Sequence, residues 1–332
     1  MQPIVSIIVT NYNGRALLER CLRSLAAQTL QPIEIILVDN ASTDGSVEFV
    51  EKEFPQVRVL RLPENRGHAG PVNEGFRIAR GERFLVKFDN DARAEPDWLE
   101  KLVNAVGDDP GIGSAASRTL DYHDEERIYS LGDGFLPSGD AFNIARGMRY
   151  RGDLPMPRWV FGASGCTAFY RRSVLERTGF LDEDFWAYHE DIDLDFRLQL
   201  AGCKCLYVPE AVAYHVGGAT GRKFNERVTF ISGRNRWFVL FKNLPLSLWL
   251  RFAWPIARRA AQLAWWAVKG NVESRARCRG ALASLACLPR EWRKRRVIQR
   301  QRRASAGEIA ALLQAHARLQ EQLQTLAKQE SP

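Results

Sequence analysis

Two aspartates that flank a single residue, Asp89-Asn90-Asp91, are the first candidate for chemistry in the sequence. They follow the apolar run at residues 83–88, so both carboxylates are expected at the carboxyl end of a buried strand. Paired carboxylates suit a hard cation such as Mg2+ or Mn2+, whose remaining positions can go to diphosphate oxygens. Short Asp/Asn clusters are also common turn formers, so the triplet alone leaves both interpretations open.

A second polar block, Asp39-Asn40-Ala41-Ser42-Thr43-Asp44-Gly45-Ser46, follows the apolar run at residues 33–38. Its side chains can read the edge of a base or a ribose, but a turn with a helix N-cap explains them equally well. Asn11 ends the run at residues 4–10 in the same way. Because neighbouring parallel strands end at one rim of a sheet, Asn11, Asp39 and Asp89 are predicted to meet there.

The segment Asn65-Arg66-Gly67-His68-Ala69-Gly70 is a turn of small residues before a helical pattern. Backbone N–H groups in such a turn can approach a phosphate. A glycine-containing turn is a weak signal by itself, so an ordinary turn remains the alternative.

An acidic segment, Tyr188-His189-Glu190-Asp191-Ile192-Asp193, stands at the predicted start of a helix. A carboxylate there can act as a general base that takes a proton from an attacking hydroxyl. Acidic residues are also favoured in the first turn of any helix by the macrodipole, so a purely structural role stays open.

Two further sets of residues complete the candidates. His215 follows a predicted strand and can add a neutral imidazole to a metal site, although a lone histidine is more often simply packed. Arg222, Lys223 and the segment Arg234-Asn235-Arg236 offer positive charge for a diphosphate, or a solvated basic face.

The elements that position these residues alternate between strand and helix. Apolar runs at residues 4–10, 33–38, 57–62 and 83–88 alternate with helical patterns at 15–28, 46–54 and 70–80. This alternation predicts an α/β fold with a mainly parallel sheet flanked by helices. The periodicity is lost between residues 118 and 158, where long loops or short hairpins are expected beside the site.

The net charge of +8 could indicate binding to nucleic acid, to anionic lipid or to a phosphorylated substrate. Most of the excess of basic residues lies after residue 222. Residues 237–266 mix Trp, Leu and Arg, which suits helices in a membrane interface or a second helical core layer. A basic stretch at 290–303 and a polar helix at 306–329 follow. No apolar stretch approaches the roughly 20 residues that span a bilayer.

The six cysteines show no zinc spacing, and the first residues show no secretory signal. We therefore expect free thiols in a cytoplasmic protein.

Taken in order along the chain, these blocks resemble the family 2 glycosyltransferases with the GT-A fold, specifically the rhamnosyltransferase-like branch of bacterial surface polysaccharide synthesis. The resemblance covers about residues 1 to 236. It rests on residues 5–14, 38–46, 65–67, 89–91, 179–182, 190–193 and His215.

The resemblance implies an inverting transfer of a sugar from a nucleotide diphosphate donor, a dTDP- or UDP-sugar such as dTDP-rhamnose, to a hydroxyl of a glycan or lipid-linked glycan. It implies Asp191 as the base, with Glu190 assisting, and a divalent metal, Mg2+ or Mn2+, on Asp89, Asp91 and His215. The residues implied to bind the nucleotide sugar are Thr10, Asn11, Asn13, Asp39 and Asn65. Asp89, Asn90 and Arg234 are further candidates for nucleotide-sugar binding.

We expect two parts in the chain: a GT-A catalytic domain at residues 1–236 and a basic helical extension at 237–332. If the acceptor is carried on a lipid, the extension would bring the enzyme to the cytoplasmic face of the inner membrane. A sugar nucleotidyltransferase and a non-catalytic nucleic-acid-binding protein are the alternatives. A nucleotidyltransferase needs a glycine-rich basic loop after strand 1 to bind a triphosphate, and this sequence has none. The acidic clusters in the first part of the chain disfavour nucleic-acid binding as the main function.

Overall fold

The computed structural model describes residues 2–217 and 225–330. Its first part consists of alternating strands and helices, as the periodicity predicts. Strand β1 is built from an apolar β-branched run, and Ile7, Ile8 and Val9 within it are fully buried because helices cover both faces of the sheet. The elements are β1 Val5–Asn11, α1 Arg15–Ala26, β2 Ile33–Asp39, α2 Ser46–Glu53, β3 Arg58–Arg61, α3 Ala69–Ile78 and β4 Phe84–Asp89.

The second part of the α/β fold adds shorter strands and a hairpin. Residues 118–158 hold the end of a long strand and a two-stranded hairpin, β8–β9. A short 3-10 helix, Glu183–Phe185, precedes α6. The elements are β5 Ala92–Ala94, α4 Trp98–Val106, β6 Ile112–Asp121, β7 Ile128–Ser130, β8 Asp133–Phe135, β9 Ala141–Asn143, β10 Trp159–Val160, β11 Thr167–Arg171, α5 Arg172–Thr178, α6 Glu190–Leu200 and β12 Lys204–His215.

The main sheet has the strand order β10-β12-β6-β11-β4-β1-β2-β3. Strands β3, β2, β1 and β4 are parallel, whereas β11 runs antiparallel to β4 and β6. The sheet is therefore mixed, with a parallel half that carries the predicted rim residues. This agrees with the predicted α/β class.

Two apolar clusters cover the two faces of the sheet. Ile7 and Val9 pack with buried side chains of α1 and α4, and Ile8 packs on the other face with those of α3 and α6. The alternation of side chains along β1 decides which residue faces which layer. The strand ends thereby keep a fixed position between two rigid layers.

The C-terminal part is helical, as expected. The predicted boundary between residues 236 and 237 falls inside helix α7, and the division into two domains stays a prediction. A third apolar cluster joins these helices to Phe135, Phe161 and Phe196 of the α/β part. The helices are α7 Glu226–Asn243, α8 Leu246–Arg251, α9 Ala253–Val268, α10 Val272–Leu285, α11 Leu288–Gln301 and α12 Ala306–Glu330.

All six cysteines are free thiols, as predicted. Within residues 2–217 and 225–330, none of the helices has both the length and the apolar content that crossing a membrane requires.

Candidate active site

The ends of β1, β2 and β4 meet at one rim of the sheet. Asn11 pairs in register with Asp39, and Thr10 lies opposite Asp89. Asn11 Nδ2 donates to Asp39 Oδ1 at 3.2 Å, and the Ser42 backbone N–H donates to Asp39 Oδ2 at 2.9 Å. Because Asp39 is buried, these bonds fix its carboxylate on the floor of the rim. A carboxylate has about four acceptor positions, so capacity for a ligand donor remains.

Asn11 also joins the acidic triplet to the second polar block. Asn90 Nδ2 donates to Asn11 Oδ1 at 2.7 Å, which turns Asn90 away from the two aspartates that flank it. The hydroxyl of Ser42 accepts from Asn11 Nδ2 at 3.1 Å and from the Asn13 N–H at 2.9 Å. Three of the predicted donor-binding residues, Asn11, Asn13 and Asn90, therefore belong to one hydrogen-bonded group.

Asn65 is tied to the same rim through Asn40. Asn40 Nδ2 donates to Asn65 Oδ1 at 3.0 Å and to the Gly67 carbonyl at 2.8 Å. Gly67 has a φ of +72°, and a β-carbon there would overlap the backbone and ring of Trp186. Glycine is thus required at this turn for two reasons, its left-handed conformation and its close approach to the loop before α6.

The structure brings Asp89, Asp91 and His215 together, with one potential ligand atom from each within 4.8 Å of the others. Pairing of β5 with β12 places His215 opposite Ala92, immediately after the triplet. His215 Nε2 lies 2.7 Å from Asp91 Oδ1 and 3.6 Å from Asp89 Oδ2. Two carboxylates and one imidazole form a donor set that fits Mn2+ or Mg2+.

Lys87 is a component of the site that the sequence reasoning missed. Its ammonium is buried, lies 2.9 Å from Asp89 Oδ1 and also donates to the Gly165 carbonyl. Burial alone would raise the pKa of Asp89, but Lys87 and then His68 hold it well below its usual range. The sequence does contain a signal for this role. Lys87 is a charged residue inside an apolar strand, and it lies two positions before Asp89, so both side chains are on the same face.

His68 is the second missed component, although it lies within the predicted turn. Its Nδ1 is 2.5 Å from Glu190 Oε1 and its Nε2 is 3.5 Å from Asp89 Oδ1. Burial and Lys87 lower the pKa of His68, but Asp89 and Glu190 outweigh them and raise it to about 9. A protonated His68 therefore bridges the end of β4 and the start of α6.

Glu190 and Asp191 open α6 beside this cluster. A β-carbon at Gly165 would overlap Asp191 Oδ2, so glycine lets that carboxylate approach the segment that Lys87 contacts. Burial, and then repulsion from Glu190, raise the pKa of Asp191 to about 6. Burial alone would raise the pKa of Glu190, but the bond with His68 lowers it. Among residues 2–217 and 225–330, the buried Glu190 Oε2 has no hydrogen-bond partner.

The loop before α6 is held in a strained conformation. Trp186, Tyr188 and His189 have φ values of 64°, 65° and 67°, which bulky residues rarely adopt. Such strain persists only where the surroundings impose it, and it concentrates at functional sites. The buried amide of Asn235 donates from Nδ2 to three loop carbonyls, those of Phe185, Ala187 and Tyr188, at 2.7 to 3.0 Å.

Two residues of the segment Arg234-Asn235-Arg236 support this loop, and the segment does not form a solvated face. Among the described residues, Arg234 donates to the carbonyls of Asp184 and Phe185 at 3.0 and 3.2 Å and to Asn235 Oδ1 at 2.9 Å, and not to the rim residues. Arg236 instead pairs with Asp140 and donates to the Ser138 carbonyl. Asn235 and Arg236 are buried. Arg222 and Lys223 lie outside the described residues.

The glycosyl transferase family 2 domain matches residues 6–179, more than half of the 332-residue chain. The chain belongs to glycosyl transferase family 2. It is therefore a glycosyltransferase, and the two alternative functions considered from the sequence are set aside.

This family 2 glycosyltransferase is similar to curated proteins of bacterial glycan synthesis. The N-acetylglucosaminyl-diphospho-decaprenol L-rhamnosyltransferase of Mycobacterium tuberculosis is 29% identical over 247 residues, which cover 67% of this chain and 79% of the relative. The succinoglycan biosynthesis protein ExoO of Rhizobium meliloti is 30% identical over 224 residues, which cover 64% and 61% of the two chains.

A solved structure has the same fold at low identity. The mannosyltransferase PcManGT from Pyrobaculum calidifontis, in complex with GDP-Man and Mn2+, superposes with a TM-score of 0.53 and 21% identity. The match covers 94% of this chain and 87% of that one. The family 2 glycosyltransferase described here therefore has the predicted GT-A fold.

Proposed function

We propose that this glycosyltransferase transfers a sugar, with inversion, from a nucleotide diphosphate donor to a hydroxyl of a glycan or lipid-linked glycan. The observation that carries the proposal is the convergence of the Asp89, Asp91 and His215 cluster with Asp191 at the same rim. A dTDP- or UDP-sugar is the expected donor, and dTDP-rhamnose is one candidate because the mycobacterial relative is named a rhamnosyltransferase.

The donor's base and ribose would lie over the rim formed by β1 and β2. Asp39 would accept from the base edge, with Thr10, Asn11 and Asn13 lining the pocket and Asn65 nearer to the phosphates. Asp39 is buried and fixed by Asn11 and Ser42, so little side-chain entropy is lost when a base binds. Arg234 remains a candidate for the phosphates only if a bound donor displaces its present contacts.

A divalent cation would be held by Asp89, Asp91 and His215, since the donor set fits one. When bound, such an ion supplies charge neutralisation for the departing nucleoside diphosphate. An imidazole in the set favours Mn2+ over Mg2+, which prefers oxygen ligands. Lys87 and His68 add fixed positive charge on the other side of Asp89.

Asp191 would take the proton of the acceptor hydroxyl as its oxygen attacks the anomeric carbon. The new bond forms to that carbon while its bond to the phosphate oxygen breaks on the opposite face, so the configuration inverts. A pKa raised to about 6 suits a base that works near neutrality, because it is ionised there yet more basic than an ordinary aspartate. Glu190 Oε2, which is buried and has no partner in the described part of the chain, would accept from a hydroxyl of the donor or acceptor sugar.

The acceptor would belong to a surface polysaccharide or its lipid-linked precursor, as the names of both curated relatives suggest. We place the reaction in the cytoplasm, at the cytoplasmic face of the inner membrane. Residues 1–236 would form the catalytic domain, and residues 237–332 an extension that supports it.

Loss of single carboxylates tests the chemistry. Asp91→Asn and Asp191→Asn are each expected to lower transfer by about 10²- to 10⁴-fold. EDTA should abolish wild-type transfer and added Mn2+ should restore it. Asp108→Asn, at an aspartate 94% exposed, is the matched control and should keep full activity. Full transfer by Asp191→Asn would refute the assignment of the base.

The donor is identified by thermal shift. UDP-, dTDP- and GDP-sugars with Mn2+ are compared for the rise in Tm that each gives to the wild-type protein. A shift with a dTDP- or UDP-sugar that disappears in Asp39→Ala supports the proposed pocket. A shift with GDP-sugars alone would contradict the expected donor class.

A further inference from the structure

The Trp-, Leu- and Arg-rich extension contains apolar helices of two kinds. Helix α7 turns its apolar residues inward, and Phe238, Val239 and Leu240 are at most 1% exposed. Helix α9 exposes its apolar residues, because Trp254, Trp265 and Val268 are 75%, 60% and 80% exposed. Residues 237–266, for which the sequence left both a core layer and a membrane-interface surface open, thus contain one of each.

Five exposed residues of α9, two of them tryptophans, lie on one side of the helix. Trp254, Ala257, Ala261, Trp265 and Val268 follow one another at intervals of three or four residues. At about 100° per residue these positions fall within about 80° of arc. We call these five residues the α9 stripe. The opposite side packs on the protein through Ile256, which is 4% exposed.

The preceding helix α8 extends the apolar surface. Leu246 and Leu250 are 70% and 83% exposed, and α8 contacts α9. A soluble surface rarely exposes this many large apolar side chains in neighbouring helices without a partner. The stripe and these two leucines therefore indicate a binding partner that is apolar over an extended area.

Positive charge borders the stripe. Arg258 lies next to it on the helix and has no ion-pair partner among residues 2–217 and 225–330. The ammonium of Lys269 lies 4.8 Å from the centroid of the Trp265 ring. Residues 237–332 contain 18 Lys and Arg against five Asp and Glu, so the extension that carries the stripe has a large excess of positive charge.

We propose that the α9 stripe, with Leu246 and Leu250, lies in the headgroup region of a bilayer that contains anionic lipids. Tryptophan suits the membrane interface because its ring is amphipathic, and basic residues beside it pair with lipid phosphates. A second copy of the chain is disfavoured as the occupant, because its equally basic face would repel the first. The inference rests on the proposed function in one respect: a lipid-linked acceptor would give the enzyme a reason to bind the membrane.

Vesicle co-sedimentation of the full chain tests the surface. Wild-type protein should bind phosphatidylglycerol-containing vesicles more tightly than pure phosphatidylcholine vesicles. Trp254→Ser with Trp265→Ser should weaken binding to both by at least about tenfold, because apolar burial is lost. Arg258→Gln should reduce only the preference for the anionic vesicles.

Trp266→Ser is the matched control. Trp266 is 51% exposed and lies on the same helix, about 100° away from Trp265, so its loss should leave binding unchanged. Tm values within error of the wild type establish that each variant folds. Equal binding by the wild type and the double variant would overturn the proposal, as would a wild-type protein that does not bind vesicles.

Two further readouts separate the possible outcomes. If light scattering finds a wild-type dimer that the double variant dissociates, with no vesicle binding, the stripe is an interface between copies and the proposal fails. Transfer to a water-soluble acceptor reports on the proposed function independently. A wild-type protein that binds vesicles but transfers no sugar would refute the function and leave the membrane surface standing.

Discussion

At the residue scale, the site depends on carboxylates whose environments differ. Lys87 and His68 keep Asp89 ionised, while burial and Glu190 make Asp191 a stronger base. Carboxylates with pKa values pushed apart in this way can divide the roles of charge holder and base. This division is set by neighbours that are distant in sequence.

The pKa of Asp191 predicts the pH dependence of the reaction. Because the base must be deprotonated and its pKa is raised to about 6, kcat/KM should rise with pH up to about 6 and level off above it. Below that value it should fall about tenfold per pH unit for a single proton. A profile measured with Asp108→Asn should coincide with the wild type. An inflection near the ordinary value of an aspartate would count against the assignment.

Lys87 is predicted to neutralise part of the charge on Asp89 that a bound cation would otherwise neutralise. Replacing it in Lys87→Met leaves the buried acidic groups without their nearest cation, so the free energy of unfolding should fall by about 3–5 kcal/mol. Mn2+ should then raise the Tm of the variant more than that of the wild type. Thermal unfolding with EDTA and with Mn2+ measures both effects.

Lys101→Met provides the matched control for that prediction. Lys101 is an exposed partner of Asp97 in the same catalytic fold, so its removal should change stability little. If Mn2+ stabilised Lys87→Met and the wild type equally, Lys87 and the cation would not compete for the same carboxylate.

At the scale of elements, α7 and α11 position the loop that leads into α6, the helix that carries the proposed base. Lys242 of α7 lies 2.5 Å from Asp182 and 2.9 Å from Asp193, and Lys294 of α11 also binds Asp182, at 2.6 Å. Arg290 lies 2.9 Å from Asp184. Part of the basic stretch at residues 290–303 therefore neutralises the acidic loop before α6 and is not a free surface for nucleic acid.

Asn235 is predicted to hold the strained loop in its active conformation. In Asn235→Ala three loop carbonyls lose their common donor, which should cost about 1–3 kcal/mol of stability. Displacement of Asp191 by about 1 Å should lower kcat by about 10²-fold. Steady-state kinetics and thermal unfolding measure the two effects, with Glu226→Gln at the exposed start of α7 as the control. An unchanged kcat would mean that other contacts suffice to hold the loop.

At the scale of the whole molecule, the extension shares a core with the catalytic fold. Leu313 of α12 is fully buried in the cluster that contains Phe135, Phe161 and Phe196. Leu319 and Leu323 of the same helix join the cluster beneath the sheet. The last helix therefore packs on the catalytic part through much of its length.

This shared core predicts a single unfolding transition. Leu313→Ala should lower the free energy of unfolding by about 2–5 kcal/mol, because it leaves a cavity between the extension and the catalytic fold. In chemical denaturation, fluorescence and donor binding should report one and the same transition, and its midpoint should be lower in the variant than in the wild type. Gln324→Ala, at an exposed position of α12, should have little effect. Two separate transitions, with donor binding unaffected, would instead support independent domains.

The sequence by itself determined the fold class, the rim and most of the donor-side candidates. Apolar periodicity identifies strands and helices locally, and parallel strands must end at one edge, so the sequence alone predicts that Asn11, Asp39 and Asp89 lie together. The same reasoning identified His215 as a metal candidate, though not the strand pairing that brings it to Asp91.

Only the tertiary structure decided which charges face one another. Lys87, His68 and Asn235 act on carboxylates and carbonyls from other elements, and such contacts depend on how strands and helices pack, which local periodicity does not encode. The apolar residues of the extension show the same limit, because α7 and α9 both combine large apolar residues with Arg, and only packing determines which of the two is covered. Burial and long-range pairing are properties of the folded chain, and they set both the pKa values and the exposed surfaces on which the predictions rest.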